Sequence, residues 1–291
     1  MGSNDTIRKM VSETYANALA RPGGGCCCGC GPEGTEPKGL VAKLAGYGEE
    51  ELGKLPEDAV VNSFGCGNPL AFSEVAPGDV VLDLGSGAGI DLLIAADKVG
   101  PKGRVIGVDM TDDMIARARA NVTTAGATNV EVRKGIIEEL PVESGSVDWV
   151  ISNCVINLSP EKDRVFAEIA RVLKPGGRML VSDIMVEDLP EWARKSMALY
   201  ASCIAGAISE QEYLAGLRRA GLEEIEVKAR VVYDAGQLAA IAGSELGEEA
   251  AKAMSCCCGG ASLSAEQLEG VAKGLEGKVW SAKLAARKPR A

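Results

Sequence analysis

Hydrophobic positions in the middle of the chain alternate between short apolar runs and longer amphipathic stretches. From Asp79 onward, apolar runs such as VVLDL and RVIGVD are each followed by a stretch with helical spacing, such as IDLLIAADKV. Glycine and proline mark the boundaries: Ser159 and Pro160 open a later helix that runs to KPGG, ahead of the strand RMLVSDIM. Strands that alternate with helices at this spacing predict an α/β fold, with βαβ units and a mostly parallel sheet covered by helices on both faces.

The flanking segments have a different pattern, which divides the chain into four parts. The sequence predicts a helix over residues 5–20, a Gly/Cys loop over 22–34, two short helical pieces, helices over 191–208 and 209–221, a strand pair in EEIEVKARVVYD and a final strand in GKVWSAKLAARK. The predicted domains are an N-terminal helical and Cys-rich extension (1–63), a core (64–190), a segment that completes the site (191–234) and a small C-terminal α+β appendix (235–291).

Composition narrows the function class. A net charge of −10 argues against a nucleic-acid partner, because binding phosphates needs a basic patch. No apolar run is long enough to span a membrane, so no membrane partner is expected. The first residues lack the apolar centre of a signal peptide, and we therefore expect a cytoplasmic protein.

The chain has ten cysteines and no histidine. Cys66, Cys154 and Cys203 stand alone, and the others form two clusters: Cys26, Cys27, Cys28 and Cys30 in the first, and Cys256, Cys257 and Cys258 in the second. Adjacent cysteines rarely pair with each other, because disulfide geometry is demanding. Neither cluster completes a zinc pattern of C-x₂-C pairs. A zinc or iron–sulfur site is the alternative, and the clusters favour thiols that capture a soft ion or relay disulfides.

A glycine-rich turn marks the candidate cofactor site. In LDLGSGAG the glycines Gly85, Gly87 and Gly89 lie where a strand becomes a helix, and Asp83 precedes them. The next strand ends in Asp109, which is placed to hold ribose hydroxyls. The spacing is G-x-G-x-G, whereas a dinucleotide fingerprint requires G-x-G-x-x-G. An NAD-binding domain and a glycine turn without a ligand are the alternatives.

This combination, together with LKPGG before the fifth strand, resembles the class I S-adenosylmethionine-dependent methyltransferases over roughly residues 64–225. The resemblance implies their Rossmann-like fold and S-adenosylmethionine as cofactor. GIIEELP is similar to the family's adenine-binding segment. The cofactor-binding residues implied are Phe64, Asp83, Gly85, Ser86, Gly87, Asp109, Met110, Ile137, Glu138 and Asn153.

The three isolated cysteines lie on segments that such a fold brings towards its cofactor. Cys154 follows the fourth strand, and ligands of open α/β sheets bind at the carboxyl ends of strands. Cys66 lies in a Gly/Pro-flanked turn before the first strand, and Cys203 follows the fifth strand among small residues. A buried structural role is the alternative for each cysteine taken alone.

The stretches GCGNP, SNCVINLSP and YASCIAGA around these cysteines resemble the arsenite methyltransferase family. The resemblance implies that Cys66, Cys154 and Cys203 are the catalytic residues and bind arsenic(III). It also implies a thiol-relay cysteine nearer the N-terminus, for which Cys26, Cys27, Cys28 and Cys30 are equal candidates. The family often has Tyr at the position of Phe64, so a hydroxyl is lost here.

The implied function is methyl transfer from S-adenosylmethionine to arsenite or its thiol conjugates, in arsenic detoxification. Thiolates select soft ions such as arsenic(III), whose lone pair attacks a sulfonium methyl without a general base. A thiol reductant, glutathione or thioredoxin, is the expected co-substrate, and thioredoxin is a candidate partner. Because the cysteine trio lies elsewhere, the chain after Ala253 is expected to be dispensable for methyl transfer.

Two other functions remain open. A small-molecule methyltransferase acting on O, N or C would need a base near Asn153 or Asp183, and none is evident. A soft-metal binding or sensing protein on a methyltransferase fold is the other. The intact Asp83, GSGAG and Asp109 argue against such a degenerate site.

Overall fold

The computed structural model describes residues 3–20, 46–65, 67–194, 200, 203–233 and 274–290. Within these residues, seven strands form one sheet in the order β3-β2-β1-β4-β5-β7-β6. The strands are β1 (Val80–Leu84), β2 (Arg104–Asp109), β3 (Val130–Lys134), β4 (Val147–Asn153), β5 (Leu173–Val186), β6 (Glu223–Val232) and β7 (Val279–Arg287). The first five are parallel, and β7 is antiparallel to both of its neighbours.

The helices precede the sheet or cross over between its strands. They are α1 (Asn4–Ala20), α2 (Glu49–Leu52), α3 (Glu57–Val61), α4 (Ile90–Val99), α5 (Asp112–Thr124), α6 (Lys162–Val172), α7 (Glu191–Arg194) and α8 (Glu210–Arg219). Short 3₁₀ turns lie at Pro69–Phe72 and Ile156–Leu158. No helix in the described ranges is long and apolar enough to cross a membrane.

The core lies on both faces of the sheet, which explains the near-continuous apolar strands. On one face, Phe166 and Ile169 of α6 pack with Leu82 and Leu84 of β1. On the other face, Leu92 of α4 packs with the alternate positions of the same strands. Strands covered on both faces read as apolar runs and not as an alternation of apolar and polar residues. The predicted α/β class and its parallel sheet are confirmed.

The last strand does not lie in a separate appendix. β7 pairs with β5 from Arg178↔Arg287 to Val186↔Val279 and with β6 on its other side. The predicted boundary at residue 235 therefore does not separate this strand from the core sheet. The prediction of a strand pair within EEIEVKARVVYD was also wrong, since Glu223–Val232 is one strand. The segment has no Gly, Pro or Asn at which a hairpin could turn.

Two helix predictions need correction. The helix after β4 begins at Lys162, because the Ser159 hydroxyl accepts a hydrogen bond from the Glu161 amide and holds a turn before it. The predicted helix over 191–208 fails over 203–208. There Cys203 has a φ of 61°, and a side chain at Gly206 would meet the Asn157 carbonyl oxygen at 2.3 Å. Tertiary packing overrides helical spacing in this segment.

The sheet order reverses between β1 and β4. From β1 the chain continues outward to β2 and β3, and from β4 it continues in the opposite direction to β5. The crossovers therefore leave a crevice above the carboxyl ends of β1 and β4, which is where α/β folds bind their ligands. Gly85 and Ser86 follow β1 at this edge, and Cys154 follows β4.

Candidate active site

A cleft with about 950 Å³ of empty space, part of it open to solvent, lies above this edge of the sheet. All of the residues that the sequence predicts for cofactor binding line it. They are Phe64, Asp83, Gly85, Ser86, Gly87, Asp109, Met110, Ile137, Glu138 and Asn153. Cys154 lines the same cleft. The sequence motifs therefore converge on one cavity, although they are spread over ninety residues of chain.

The glycine-rich turn is closed onto β2 by its backbone. The Gly85 amide donates to the Val108 carbonyl at 2.8 Å, and the Gly87 amide donates to Asp109 Oδ2 at 3.0 Å. Gly85 and Gly87 have φ angles of 67° and 51°, which favour glycine. At Gly87 an added Cβ would meet no atom within 4 Å, so the backbone there faces open space.

Three aspartates line the cleft, and burial raises the pKa of each. Asp83 is 2% exposed, and burial with the nearby Asp91 and Asp109 raises its pKa well above the ordinary range. Burial also raises the pKa of Asp91 to about 6, against hydrogen bonds from Tyr47 and Asn153. The pKa of Asp109 is raised by burial as well. A bound cation would stabilise the charged form of these crowded carboxyl groups, whereas a pyrophosphate would raise their pKa further.

The helix α1 covers the cleft from above. Val11 is buried among the cleft-lining residues, and Tyr15 meets the Phe64 ring edge-on, with 5.6 Å between ring centroids. Arg8 of the same helix donates to Glu138 Oε1 from both Nε and Nη2, at 3.3 and 3.2 Å. These contacts attach α1 to the GIIEELP segment, which the family resemblance predicts to bind adenine.

Glu138 therefore has protein partners as well as a place in the cleft. Its Oε1 accepts from the Ser159 hydroxyl at 2.7 Å in addition to Arg8, and Arg8 also pairs with Glu161. One carboxylate thus connects the loop after β3, the turn after β4 and α1.

Cys154 has an unusual backbone conformation. Its φ is 59°, in the left-handed region that residues with a Cβ rarely adopt. The side chain is buried, lines the cleft and is disulfide-bonded. Positive φ at non-glycine residues concentrates at functional sites, where the surrounding structure maintains the strain.

Cys203 lies beside Cys154 and shares this conformation, with φ 61°. Its Sγ donates to the Cys154 carbonyl oxygen at 2.7 Å, and it forms no disulfide. Both cysteines belong to a third apolar cluster of buried residues, which we call the Cys154/Cys203 cluster. Its other members include Val11, Leu158, Ile184, Val186, Tyr233 and Leu275.

The third predicted cysteine, Cys66, lies outside the described residues, as do Cys26, Cys27, Cys28, Cys30 and Cys256–Cys258. Its two neighbours in the chain, however, are described. Asn153 Oδ1 accepts from the Gly67 amide at 3.1 Å, and Asn153 Nδ2 donates to the Gly67 carbonyl. The side chain before Cys154 therefore holds the residue after Cys66. The sequence predicts Asn153 as a cofactor ligand and does not reveal this contact.

Several buried polar residues near the site were not among the predicted site residues. Asp91 and Tyr47 bond each other beside Asn153, at 2.8 Å. Behind Cys203, Asn157 donates to Asp183 at 2.8 Å, and Lys162 donates to the Asn157 carbonyl at 3.1 Å. A charged residue in an apolar helix face was the available signal for Asp91, since IDLLIAADKV is otherwise buried at its start.

The sheet order, the glycine turn and the acidic residue ending β2 define a Rossmann-like methyltransferase of class I. Residues 76–221 match the family model described as a methyltransferase domain. An arsenite methyltransferase of Halobacterium salinarum is 45% identical over 234 residues, 77% of this chain and 59% of the relative. The mouse arsenite methyltransferase is 38% identical over 172 residues, 56% of this chain and 45% of the relative.

A solved structure agrees with these relatives. The arsenic(III) S-adenosylmethionine methyltransferase of Chlamydomonas reinhardtii superposes with a TM-score of 0.59 at 31% identity, covering 88% of this chain and 74% of that one. The chain spans about half the length of the curated relatives it matches. It belongs to the arsenite methyltransferase family.

Proposed function

We propose that this protein transfers a methyl group from S-adenosylmethionine to trivalent arsenic held by cysteine thiolates. The observation that carries the proposal is the pair Cys154 and Cys203. Both have positive φ, and the thiol of one donates to the carbonyl of the other beside the cofactor cleft. Relatives named as arsenite methyltransferases support the same function.

The cleft fits S-adenosylmethionine better than a dinucleotide. Asp83, Asp91 and Asp109 favour a cationic ligand, whereas the pyrophosphate of NAD would be repelled. Asp109 Oδ2 accepts from the Gly87 amide and Oδ1 accepts from the Thr111 amide, which holds this carboxylate at the edge of the cleft, where a ribose hydroxyl could reach it. The bound cofactor would supply an electrophilic methyl group on a sulfonium.

The surroundings of the cysteines fit a neutral arsenic complex. Arsenic(III) with three thiolates carries no net charge, and the Cys154/Cys203 cluster is mostly aliphatic. Transfer of a neutral complex into such surroundings avoids the cost of burying an ion. We assign Cys66, Cys154 and Cys203 as the ligands, with Cys66 as the member contributed by the turn that Asn153 holds.

The transfer step needs no proton acceptor. The arsenic lone pair forms the As–C bond while the S–C bond breaks and its electron pair remains on sulfur. The residues contribute position: Cys154 and Cys203 hold arsenic, and the acidic cleft holds the methyl donor. Orientation of reactants alone supplies roughly 7–11 kcal/mol of a barrier. The lack of histidine in the chain is consistent with such chemistry.

A reductant must complete the cycle. Formation of the As–C bond formally oxidises arsenic from the trivalent to the pentavalent state, and two electrons from a pair of thiols return it. Such a pair ends as a disulfide, and Cys154 is disulfide-bonded in this structure. We therefore propose that an external thiol, glutathione or thioredoxin, reduces the cysteines before arsenic binds. Cys26, Cys27, Cys28 and Cys30 are the candidates for the relay.

The test is a product assay. Reduced protein is incubated with arsenite, glutathione and S-adenosylmethionine carrying a labelled methyl group, and the arsenic species are separated. The proposal expects label on arsenic, in an amount that depends on thiol. Cofactor binding without any methylated arsenic would favour another small-molecule methyltransferase. Arsenite binding without cofactor binding would favour a sensing protein.

A further inference from the structure

The Asn153 side chain is held by two buried groups as well as by Gly67. Its Nδ2 lies 2.9 Å from the Tyr47 hydroxyl and 3.3 Å from Asp91 Oδ2. The Tyr47 hydroxyl in turn donates to Asp91 Oδ1 at 2.8 Å. Tyr47 and Asp91 are each 4% exposed. The amide cannot turn over without placing its oxygen against the Asp91 carboxylate, so its orientation is determined.

Packing on the other side of Cys66 reinforces this arrangement. A Cβ added at Gly65 would lie 2.1 Å from Asn153 Nδ2 and 2.4 Å from Cγ. Gly65 therefore lies directly against the amide that Gly67 bonds. The residues on both sides of Cys66 therefore contact the same side chain, that of Asn153, which precedes Cys154 in the chain.

We propose that Tyr47, Asp91 and Asn153 form a positioning device, the Asn153 clamp, which holds Gly65 and Gly67, the two neighbours of Cys66, in place relative to Cys154. In this arrangement the carboxyl end of β4 organises all three cysteine segments. Asn153 holds the first turn, Cys154 provides the second thiol, and the Cys154 carbonyl accepts from the Cys203 thiol. The clamp's importance for methyl transfer rests on the proposed function, whereas its hold on the turn does not.

The rate of methyl transfer depends strongly on the accurate positioning of the reacting atoms. A displacement of about 1 Å costs on the order of 100-fold in rate. Tyr47 is not among the residues that line the cleft, so its loss should disturb the turn without removing a cofactor contact. The signature of the clamp is thus weaker arsenite binding and slower transfer at unchanged cofactor affinity.

Tyr47→Phe is the principal variant, because it deletes the hydroxyl that orients both Asn153 and Asp91. Deuterium exchange of a peptide over residues 62–70 should become faster, since the Gly67 amide loses a well-oriented acceptor. Arsenite methylation should fall about 10- to 100-fold, while S-adenosylmethionine affinity should stay within about twofold.

Two controls separate the clamp from general loosening. Tyr213→Phe removes a buried hydroxyl that also contacts a buried carboxylate, Asp183, and it should leave exchange over 62–70 unchanged. Because Gly65 lines the cleft, cofactor affinity is compared only in Tyr47→Phe. Gly65→Ala provides a second, steric disturbance that removes no polar group and should reproduce the faster exchange over 62–70. Its control is Gly48→Ala, where a Cβ meets nothing within 4 Å.

The exchange measurement decides the inference independently of catalysis. Unchanged exchange over 62–70 in both Tyr47→Phe and Gly65→Ala would overturn the clamp. Faster exchange with undiminished arsenite binding and methylation would also overturn it as a positioning device. If the wild type methylates no arsenite at all, the proposed function fails, while faster exchange in the two variants would still support the clamp's hold on the turn.

Discussion

At the scale of single residues, the site contains cysteines with an unusual backbone conformation and aspartates that are unusually buried. Cys154 and Cys203 have left-handed φ, which costs on the order of 1 kcal/mol each. Asp83 and Asp91 are buried with raised pKa values. Such features persist only when their neighbours enforce them, and they mark the same edge of the sheet.

Asp109 provides a prediction about the cofactor. Asp109→Ala removes the acceptor that closes the glycine turn through the Gly87 amide and faces the cleft. We expect S-adenosylmethionine affinity to fall at least tenfold, about the worth of one charge-assisted hydrogen bond, with arsenite affinity little changed. Calorimetry with each ligand measures both. Asp112→Ala is the control, because Asp112 is exposed and pairs with Lys134. Unchanged cofactor affinity in Asp109→Ala would remove this residue from the site.

The sequence could identify the site residues that belong to a local motif at the end of a predicted strand. Asp109 ends a strand, and the glycine turn and Cys154 each follow one, so their common location could be inferred from the parallel sheet. Tyr47 and Gly67 could not be placed in this way, because their contacts with Asn153 connect segments 106 and 86 residues apart. The engagement of Glu138 by Arg8 likewise depends on how α1 docks.

At the scale of elements, β7 changes what the C-terminal region means. The sequence predicted the strand, but its pairing with β5 and β6 depends on the assembly of the whole sheet. Its insertion between two strands that precede it in the chain makes it part of the core. Leu284 is fully buried there. The sequence predicted that the chain after Ala253 is dispensable for methyl transfer, but the fold needs β7, which lies in this part of the chain.

This distinction gives a prediction for the second cysteine cluster. Replacing Cys256, Cys257 and Cys258 by serine should leave arsenite methylation measurable, within about tenfold of wild type in the product assay with glutathione. Ending the chain after Ala253 should instead abolish cooperative unfolding, since β5 and β6 lose their common neighbour. A folded substitution variant with no turnover would place the cluster in the catalytic cycle.

At the scale of the whole molecule, buried carboxylates make stability depend on pH. Asp183 is fully buried, and burial, against hydrogen bonds and nearby Lys162, raises its pKa to about 7. Its folded pKa thus exceeds the unfolded value of about 4. The stability that it contributes is complete below pH 4 and is lost as pH rises towards 7, at up to about 1.4 kcal/mol per pH unit.

Asp183→Asn tests this linkage, because the amide oxygen can still accept from Asn157 and Ile184. The free energy of unfolding of the variant, relative to wild type, should increase between pH 5 and pH 8. Urea denaturation at the two pH values measures it, with Asp112→Asn as an exposed control. A difference between variant and wild type that does not change with pH would refute the assigned titration.

The central claim is that Cys154 and its neighbours hold arsenic beside the methyl donor. X-ray absorption at the arsenic edge, on reduced protein loaded with one equivalent of arsenite, tests it most directly. The wild type should give three sulfur neighbours around arsenic. Cys154→Ser should replace one of them by oxygen or nitrogen and should lose methylation of arsenite while retaining S-adenosylmethionine affinity. Three sulfur neighbours and a wild-type rate of methylation in Cys154→Ser would contradict the account.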